Sequence, residues 1–263
     1  MKNRILPLGT NGFIPSFDRQ TMGFLFLTEN EALLLDAGTG VARLLEQHIM
    51  DLLRPYDCLN VILTHYHLDH VVGLSYFPET WAQRRIRIYA PARPFVETTP
   101  EEALNRLLQP PLFSVPLRDF PMPLEVIPVT RESLQIGTLS IQLRAQKHPG
   151  GSAGIRIEDA LAYVTDTIVE QATQTFAQGV ELLLHEVWWT DAEADSDEVK
   201  RSGHSHATGV ARIATQAGVS RLMPVHHHPR RPDADVRKLA QEMQEQTDVE
   251  VMVPEEGKVY ELS

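Results

Sequence analysis

The sequence predicts an α/β fold built from two β-sheets, each covered by helices. Short apolar runs bounded by turn residues recur in both halves of the chain, as β-strands do. Segments whose apolar residues have helical spacing follow these runs at two separate places. Strand runs that carry helices at two places indicate two sheet-and-helix layers. The length of 263 residues suits one large domain, and no linker divides it, so we expect a single domain over residues 1–263.

In the first half, five apolar runs predict strands at residues 4–8, 23–27, 32–35, 59–63 and 86–89. Helical spacing predicts a helix over 41–53, and a second helix is expected to begin at Val71. Thr99 and Glu102 form a capping box, which predicts a helix that ends near residue 109. The proline-rich and aromatic stretch 110–123 has no clear pattern. It is expected to be either a loop over a pocket or a rigid surface connection.

In the second half, further apolar runs predict strands at residues 124–129, 140–145, 154–157, 161–164, 182–184, 221–225, 249–253 and 258–262. A helix is predicted over 207–217, where Gly218 provides the C-terminal stop. A second helix is predicted over 233–246.

Composition narrows the class of protein and its partners. The 24 basic and 35 acidic residues give a net charge of −11, which repels phosphate backbones and favours a small substrate over nucleic acid. No apolar run approaches the ~20 residues of a membrane span, so no membrane partner is expected. The N-terminal segment lacks the apolar region of a signal peptide. The single cysteine, Cys58, is compatible with a reducing cytoplasm, where we expect the protein.

Four residues within six positions, His65, His67, Asp69 and His70, follow the apolar run 61–63. Eleven histidines in the chain would place some pairs together by chance, but the addition of Asp69 and His70 directly after a buried strand favours a metal site. Alternation along an extended segment points His65 and His67 the same way. Imidazole nitrogens and a carboxylate suit zinc-like ions. The window therefore predicts a dinuclear site, with Asp69 and His70 facing the second metal.

A site for two metals needs more than four ligands, and three candidates follow predicted strands. They are His148, Asp166 and His226. Each alone is weak, because a histidine or aspartate in a loop is usually no ligand. Loops at strand ends converge on one cleft, however, so together these side chains complete two coordination shells with seven groups.

Beyond these residues, an ordered series of motifs resembles the metallo-β-lactamase fold superfamily, and within it the ribonuclease Z-like phosphodiesterase branch. The similarity covers nearly the whole chain and is carried by residues 8–16, 33–38, 64–70, 148–156, 163–167, 183–186, 203–205 and 211–226. The resemblance implies an αββα sandwich, in which two mixed sheets are flanked by helices.

The resemblance also implies which side chains bind which ion. One metal is expected on His65, His67 and His148, and the other on the ligands Asp69, His70 and His226. Asp166 is expected to bridge the two. The ions would be divalent, with zinc as the default and manganese or iron open. A shared hydroxide is expected between them as the nucleophile, and Asp69 is expected to take up a proton as well.

A histidine and a glutamate outside this set are expected to form an acid dyad. The resemblance implies that His204 protonates the leaving oxygen and that Glu186 orients it. A carboxylate beside an imidazole raises its pKa and fixes its tautomer, as a general acid requires. His206 is a rival for the role, although the downstream spacing favours His204.

Other histidines and aromatic residues have weaker assignments. His185 is expected to be structural. His227 and His228 are expected to lie in a solvated loop, with a substrate contact as the alternative. Residues 191–198 are strongly acidic and are expected to form an exposed loop. Four aromatic residues are candidates for a pocket wall, with the core as the alternative: Trp188, Trp189, Phe113 and Phe120.

These assignments predict a dinuclear metal-dependent hydrolase that cleaves a small or cyclic phosphodiester. Only seventeen residues separate His148 from Asp166, which leaves no room for the tRNA-gripping arm of bacterial-type ribonuclease Z. A tRNA 3′-processing endonuclease is therefore the second hypothesis. A thioester or lactone hydrolase of the same fold is the third, and a metal-stabilised binding protein without activity is the last. A homodimer is one option for the assembly, because relatives are often dimers.

Overall fold

The computed structural model describes residues 2–81, 84–193 and 202–263. Within these ranges the chain forms two seven-stranded sheets. The strands of the first sheet are β1 Arg4–Gly9, β2 Gly23–Leu27, β3 Ala32–Leu35, β4 Cys58–Ile62, β5 Arg85–Pro91, β6 Leu124–Val129 and β14 Tyr260–Glu261. Those of the second are β7 Ser133–Ile136, β8 Leu139–Gln146, β9 Ser152–Ile157, β10 Leu161–Val164, β11 Leu182–Glu186, β12 Arg221–Val225 and β13 Glu250–Val251. The predicted strands are thus found, and sequence reasoning missed β7.

Helices of the described residues lie outside the two sheets. The α-helices are α1 Gln47–Leu53, α2 Leu68–Val71, α3 Phe77–Thr80, α4 Pro100–Leu107, α5 Gln171–Phe176, α6 Ala207–Ala217 and α7 Asp233–Gln244. Three 3-10 helices cover Thr39–Leu45, Val72–Tyr76 and Leu117–Asp119. As predicted, the Thr99 side chain caps α4 by accepting from the backbone N–H of Glu102, and Gly218 ends α6 with a left-handed φ of 64°. None of these helices is long and apolar enough to cross a bilayer.

The predicted continuous helix over 41–53 is wrong. The segment forms the 3-10 helix Thr39–Leu45 and then α1, because Glu46 between them has an extended backbone with φ −70° and ψ 131°. Arg43 contacts the carboxylates of both Glu46 and Glu256, at 2.5 and 3.1 Å. The contact with Glu256 is distant in sequence, and helical spacing does not reveal it.

The layers follow from which faces of the sheets are buried. Side chains of both sheets fill the central core, for example Phe24 from β2 and Tyr163 from β10, whose rings lie 5.5 Å apart. Leu74 packs on the outer face of the first sheet, and Val210 of α6 packs on the outer face of the second. This is the expected αββα sandwich of two mixed sheets.

Strand direction places the functional residues at one edge. In the first sheet, β3 to β6 run parallel, and in the second, β10 to β13 do. Strand β8 runs antiparallel to β9, which is antiparallel to β10, so β8 and β10 share a direction. Because carboxyl ends of strands with one direction meet at one edge, loops from both sheets converge there.

Candidate metal centre

Several residues of the centre have a strained backbone at the point where a strand ends. Asp36 follows β3, Asp166 follows β10 after one residue, and His226 follows β12. Their φ angles are 57°, 52° and 53°, in the left-handed region that side chains other than glycine rarely adopt. Such conformations cost about 1–3 kcal/mol each and concentrate at functional sites, where the surrounding structure enforces them.

His65, His67 and His148, which we call the histidine cluster, converge on Oδ1 of Asp166. Ligating atoms of these four residues all lie within 4.8 Å of one another. His148 Nε2 is 3.2 Å from His67 Nδ1 and 3.4 Å from Asp166 Oδ1. His65 Nε2 is 3.8 Å from the same oxygen. Three nitrogens and one carboxylate oxygen can thus face one ion.

Asp69, His70 and His226, which we call the mixed cluster, converge on the other oxygen of Asp166. Asp166 Oδ2 is 3.1 Å from His70 Nε2 and 3.4 Å from His226 Nε2. Asp69 Oδ2 lies 3.4 and 3.3 Å from the same two nitrogens. Asp166 therefore presents one oxygen to each cluster, as a bridging carboxylate does.

Buried nitrogens without a hydrogen-bond partner, and the pKa values of the histidines, show whether a divalent ion fits the histidine cluster. His65 Nε2 is buried and has no hydrogen-bond partner among the described residues. Burial lowers the pKa of His65 and His67, and lowers that of His148 to about 4, so these imidazoles keep free lone pairs at neutral pH. Neutral imidazole is the form that binds metal. The histidine cluster therefore fits a divalent ion.

The carboxylates of the centre remain ionised although they are buried. Burial opposes the charge of Asp69, but His70 and His226 outweigh it, and the pKa of Asp69 is lowered. For Asp166, burial is likewise outweighed by the histidines around it, and its pKa lies well below the usual range. The two carboxylates act on His70 in turn. Burial disfavours the protonated imidazole of His70, but Asp69 and Asp166 outweigh burial and raise its pKa. The mixed cluster thus stabilises positive charge, as a cation site must.

Asp36 supports the centre and was missed as a site residue by sequence reasoning. Its Oδ2 contacts His70 Nδ1 and accepts from the Tyr163 hydroxyl, both at 2.8 Å. Its Oδ1 accepts from the backbone N–H of Thr64 at 2.7 Å, and the Thr64 hydroxyl lies 3.0 Å from His65 Nδ1. The signal was available, because Asp36 follows a buried strand just as His226 does. Partners of this kind orient ligands and fix their tautomers.

His204 and Glu186 meet beside the mixed cluster. His204 Nδ1 lies 2.8 Å from Glu186 Oε2, and Glu186 Oε1 accepts from the backbone N–H of Thr167 at 2.5 Å. The Trp188 ring stacks on His204 with centroids 4.5 Å apart and an angle of 12°. Burial disfavours the charged imidazole, but Glu186 outweighs it and raises the pKa of His204 to about 9. His204 therefore holds a proton at neutral pH beside the candidate ion sites.

The structure separates the other histidines from this chemistry. His206 caps α6 by accepting from the backbone N–H of Gly209, and it contacts Asp191 at 3.4 Å. His185 is buried, with Nδ1 2.8 Å from the carbonyl oxygen of Glu186. The expectation that His227 lies in a solvated loop is wrong, because this residue is fully buried. Its backbone forms hydrogen bonds with Thr10 and Gly12, which hold this segment against the loop after β1.

Only part of the predicted aromatic wall lies at the centre. Trp188 contacts His204 and His226, whereas Trp189 is buried and donates to Ser202 Oγ. Phe113 and Phe120 pack on each other and on the core of the first sheet, so for these two the core alternative holds.

Segments 110–123 and 188–203 differ in their position relative to the centre. Within 110–123, Leu117 and Arg118 line a separate groove of about 590 Å³ beside α4. Within 188–203, Trp188 reaches the centre, whereas residues 194–201 lie outside the described residues. The expected acidic loop 191–198 therefore falls mostly outside them as well.

Comparison with known proteins gives a family match over most of the chain. The model for the β-lactamase superfamily domain matches residues 31–227. An uncharacterised protein of Mycobacterium tuberculosis is 29% identical over 236 residues, which cover 86% of this chain and 81% of that protein. A ribonuclease Z of Streptomyces avermitilis is 24% identical over 271 residues, which cover 88% of each.

A solved structure shares the fold along the full length. The metallo-β-lactamase fold protein YhfI of Bacillus subtilis superposes with a TM-score of 0.77 at 22% identity. The superposition covers 99% of this chain and 100% of that one. The architecture described above is therefore that of known metallo-β-lactamase fold proteins.

Proposed function

The chain belongs to the β-lactamase superfamily, in its ribonuclease Z-like branch, and from this premise we propose that it is a phosphodiesterase for small or cyclic phosphodiesters. The family and the clustered histidines and aspartates support a metal-dependent hydrolase with a divalent metal site. The phosphodiester specificity is inferred from the side chains around that site, as follows.

We assign the two clusters as the ligands of two ions. His65, His67 and His148 would hold one ion, and Asp69, His70 and His226 the other. Asp166, with one oxygen toward each cluster, would hold both. When bound, a pair of divalent ions can supply a nucleophilic water at neutral pH and can polarise a phosphoryl oxygen. Zinc suits this donor set, which is rich in nitrogen, and manganese or iron would also accept it.

The dyad of His204 and Glu186 is the observation that carries the proposal. A phosphodiester of an ordinary alcohol has a poor leaving group, which must receive a proton as the ester bond breaks. His204 is protonated at neutral pH because Glu186 lies 2.8 Å from its Nδ1, and this leaves Nε2 to donate that proton. A thiolate leaves readily without such an acid. The dyad therefore favours phosphate esters over thioesters.

Asp69 is assigned a second role as the acceptor of the proton released when water attacks phosphorus. Its pKa is lowered, so the carboxylate is ionised and can orient that water by accepting a hydrogen bond from it. A lowered pKa also makes the carboxylate a weak base, so the contribution of Asp69 is chiefly orientation. The backbone N–H of Phe13 donates to Asp69 Oδ2 at 2.7 Å and holds the carboxylate in place. Orientation of this kind contributes to rate because the reacting groups need no rearrangement.

The connection between His148 and Asp166 supports a small substrate. Most of its seventeen residues belong to β9, β10 and the turn between them. No nucleic-acid-binding arm is inserted in this described segment. Together with the net charge of −11, this favours a small-molecule phosphodiester over RNA.

A tRNA 3′-processing activity is the second candidate, because ribonuclease Z proteins align with most of the chain. Both candidates, and the thioester or lactone alternative, are tested by one screen of the metal-loaded protein. The substrates are cyclic nucleotides, sugar cyclic phosphates, bis(p-nitrophenyl) phosphate, a tRNA precursor, a thioester and a lactone. We expect turnover of the small phosphodiesters. Cleavage of the tRNA precursor at the highest efficiency would support the second candidate, and turnover of the thioester or lactone alone would reject both.

A further inference from the structure

We propose that Phe13 determines substrate specificity by stacking on a planar aromatic group of the substrate, such as the nucleobase of a nucleotide whose phosphodiester is cleaved. This inference rests on the proposed phosphodiesterase function and narrows its substrate class. It is carried by the position of Phe13, by the strain of its backbone and by the exposure of its ring.

The loop that carries Phe13 lies directly on the candidate metal centre. The backbone N–H of Phe13 donates to Asp69 Oδ2 at 2.7 Å. A Cβ atom on the preceding Gly12 would lie 2.5 Å from His226 Cε1 and 2.5 Å from a ring carbon of Trp188. Only glycine permits so close an approach to these two rings. Phe13 is therefore held within a few ångströms of the place where we expect the phosphate.

The backbone of Phe13 is strained in a way that its side chain does not relieve. Its φ is 66°, and the N–H of Ile14 donates to the carbonyl of Gly12 at 2.8 Å, so Phe13 is the central residue of a γ-turn. Turns of this kind with positive φ are rare and strained, and glycine or asparagine would adopt the conformation at lower cost. The ring is 70% exposed, so it adds little to the core. A large, exposed side chain on a strained backbone adds little to the stability of the fold, which points to a role in binding.

Two further exposed apolar side chains lie next in sequence to Phe13 and to the candidate ligand Asp69. Leu68, which precedes the candidate ligand Asp69, is 60% exposed, and Ile14 is 49% exposed. Trp188, half-buried, contacts His226 from the side of Gly12. An exposed aromatic ring on a loop whose backbone contacts the centre offers a flat apolar face on which a base can stack. Bases stack on such rings with about 1–3 kcal/mol each.

The test compares two five-membered cyclic phosphodiesters, one with a base and one without. These are adenosine 2′,3′-cyclic phosphate and glycerol 1,2-cyclic phosphate, hydrolysed by the metal-loaded protein and by Phe13→Gly. Glycine suits the left-handed φ and retains the N–H that donates to Asp69, so metal content should not change. Phe17→Gly is the matched control, because Phe17 is on the same loop with φ 50° and 50% exposure but lines a different cleft.

We expect Phe13→Gly to raise KM for the adenosine substrate by about 10-fold more than it raises KM for the glycerol substrate. Phe13→Tyr should restore the parent KM, and Phe17→Gly should behave as the parent. An equal effect of Phe13→Gly on both substrates, or none on either, would overturn the inference.

A binding measurement keeps the inference separate from the proposed function. Calorimetry measures 3′-AMP binding to the metal-loaded parent and to Phe13→Gly. About 10-fold weaker binding in the variant supports stacking even if neither cyclic substrate is hydrolysed, in which case only the proposed activity fails. Equal binding of 3′-AMP by both proteins refutes the role of Phe13 even where hydrolysis is observed.

Discussion

The histidine cluster and the mixed cluster share Asp166 but differ in charge and in exposure. The histidine cluster has one carboxylate oxygen, and it opens to solvent at His67 beside a cleft of about 390 Å³. The mixed cluster is buried throughout and contains Asp69 in addition to Asp166. Electrostatic attraction is stronger where solvent is excluded and negative charge is greater. We therefore expect the mixed cluster to hold its ion more firmly and the histidine cluster to exchange its ion first.

Removal of the shared residue should abolish both sites and gives the largest expected effect. In Asp166→Asn, each cluster loses a charged oxygen, so both ions should be lost and activity should fall below detection. Metal analysis after gel filtration, alongside turnover of bis(p-nitrophenyl) phosphate, measures this. Asp159→Asn is the control, since Asp159 lies on the exposed turn after β9 and its side chain forms an ion pair with Arg156. Two firmly bound ions in Asp166→Asn would contradict the bridging assignment.

Removal of one candidate ligand from either cluster should show which cluster holds its ion more tightly. His67→Ala should lose the ion of the histidine cluster and most of the activity while it retains one ion per chain. His226→Ala should weaken the mixed cluster, which we expect to be the tighter site in the parent. Calorimetric titration with zinc gives the stoichiometry and affinity of each step. The comparison fails if His67→Ala removes the tighter ion and His226→Ala the weaker one.

His204 and Glu186 belong to neither cluster, although a ring nitrogen of His204 lies within 4.8 Å of ligating atoms of Asp166 and His226. Because we assign His204 as an acid and not as a ligand, its loss should reduce rate without loss of metal. His204→Gln should retain two ions and lose roughly 100- to 10,000-fold in kcat for an alkyl phosphodiester, as expected for a missing general acid. A p-nitrophenyl ester, whose leaving group needs no proton, should be affected less. Activity of the parent should decline as pH rises through the His204 pKa of about 9, because the neutral imidazole has no proton to give. A parent-like rate with the alkyl ester in His204→Gln would remove the acid role.

The smallest effect is expected from changes to Asp36 and Tyr163, which orient a ligand of the mixed cluster without binding the ion. Asp36→Asn weakens the contact of Asp36 with His70 Nδ1, and changes to such partners typically cost about 10- to 100-fold in metal affinity. The loss should fall mainly on the tighter ion. Tyr163→Phe, which removes only the hydroxyl that donates to Asp36, should cost less. Zinc competition with a chromophoric chelator would rank the three proteins, and equal affinities would show that Asp36 is dispensable.

The success of sequence reasoning depended on how local each feature was. His65, His67, Asp69 and His70 became candidate ligands because they directly follow a strand, and Asp166 and His226 because each follows a predicted strand. The structure brings these side chains together. The same rule applied to Asp36, but a single aspartate before a glycine turn gave no reason to prefer a functional role. For Phe113 and Phe120 both core and pocket stayed open, since aromatic residues serve cores and pockets alike. Phe13 carried no signal, because its strain and exposure exist only in the folded chain.

By itself, the sequence determined most of the order of strands and helices, the types of the candidate ligands and the strand ends that carry them. Alternation, turn residues and side-chain chemistry act over a few residues, so a sequence pattern can show them. The tertiary structure decided which oxygen of Asp166 faces which cluster, which histidine pairs with Glu186, and that His227 is buried. Those outcomes depend on contacts between segments as far apart as Gly12 and His226. Such contacts arise only when the two sheets pack and bring their strand ends to one edge.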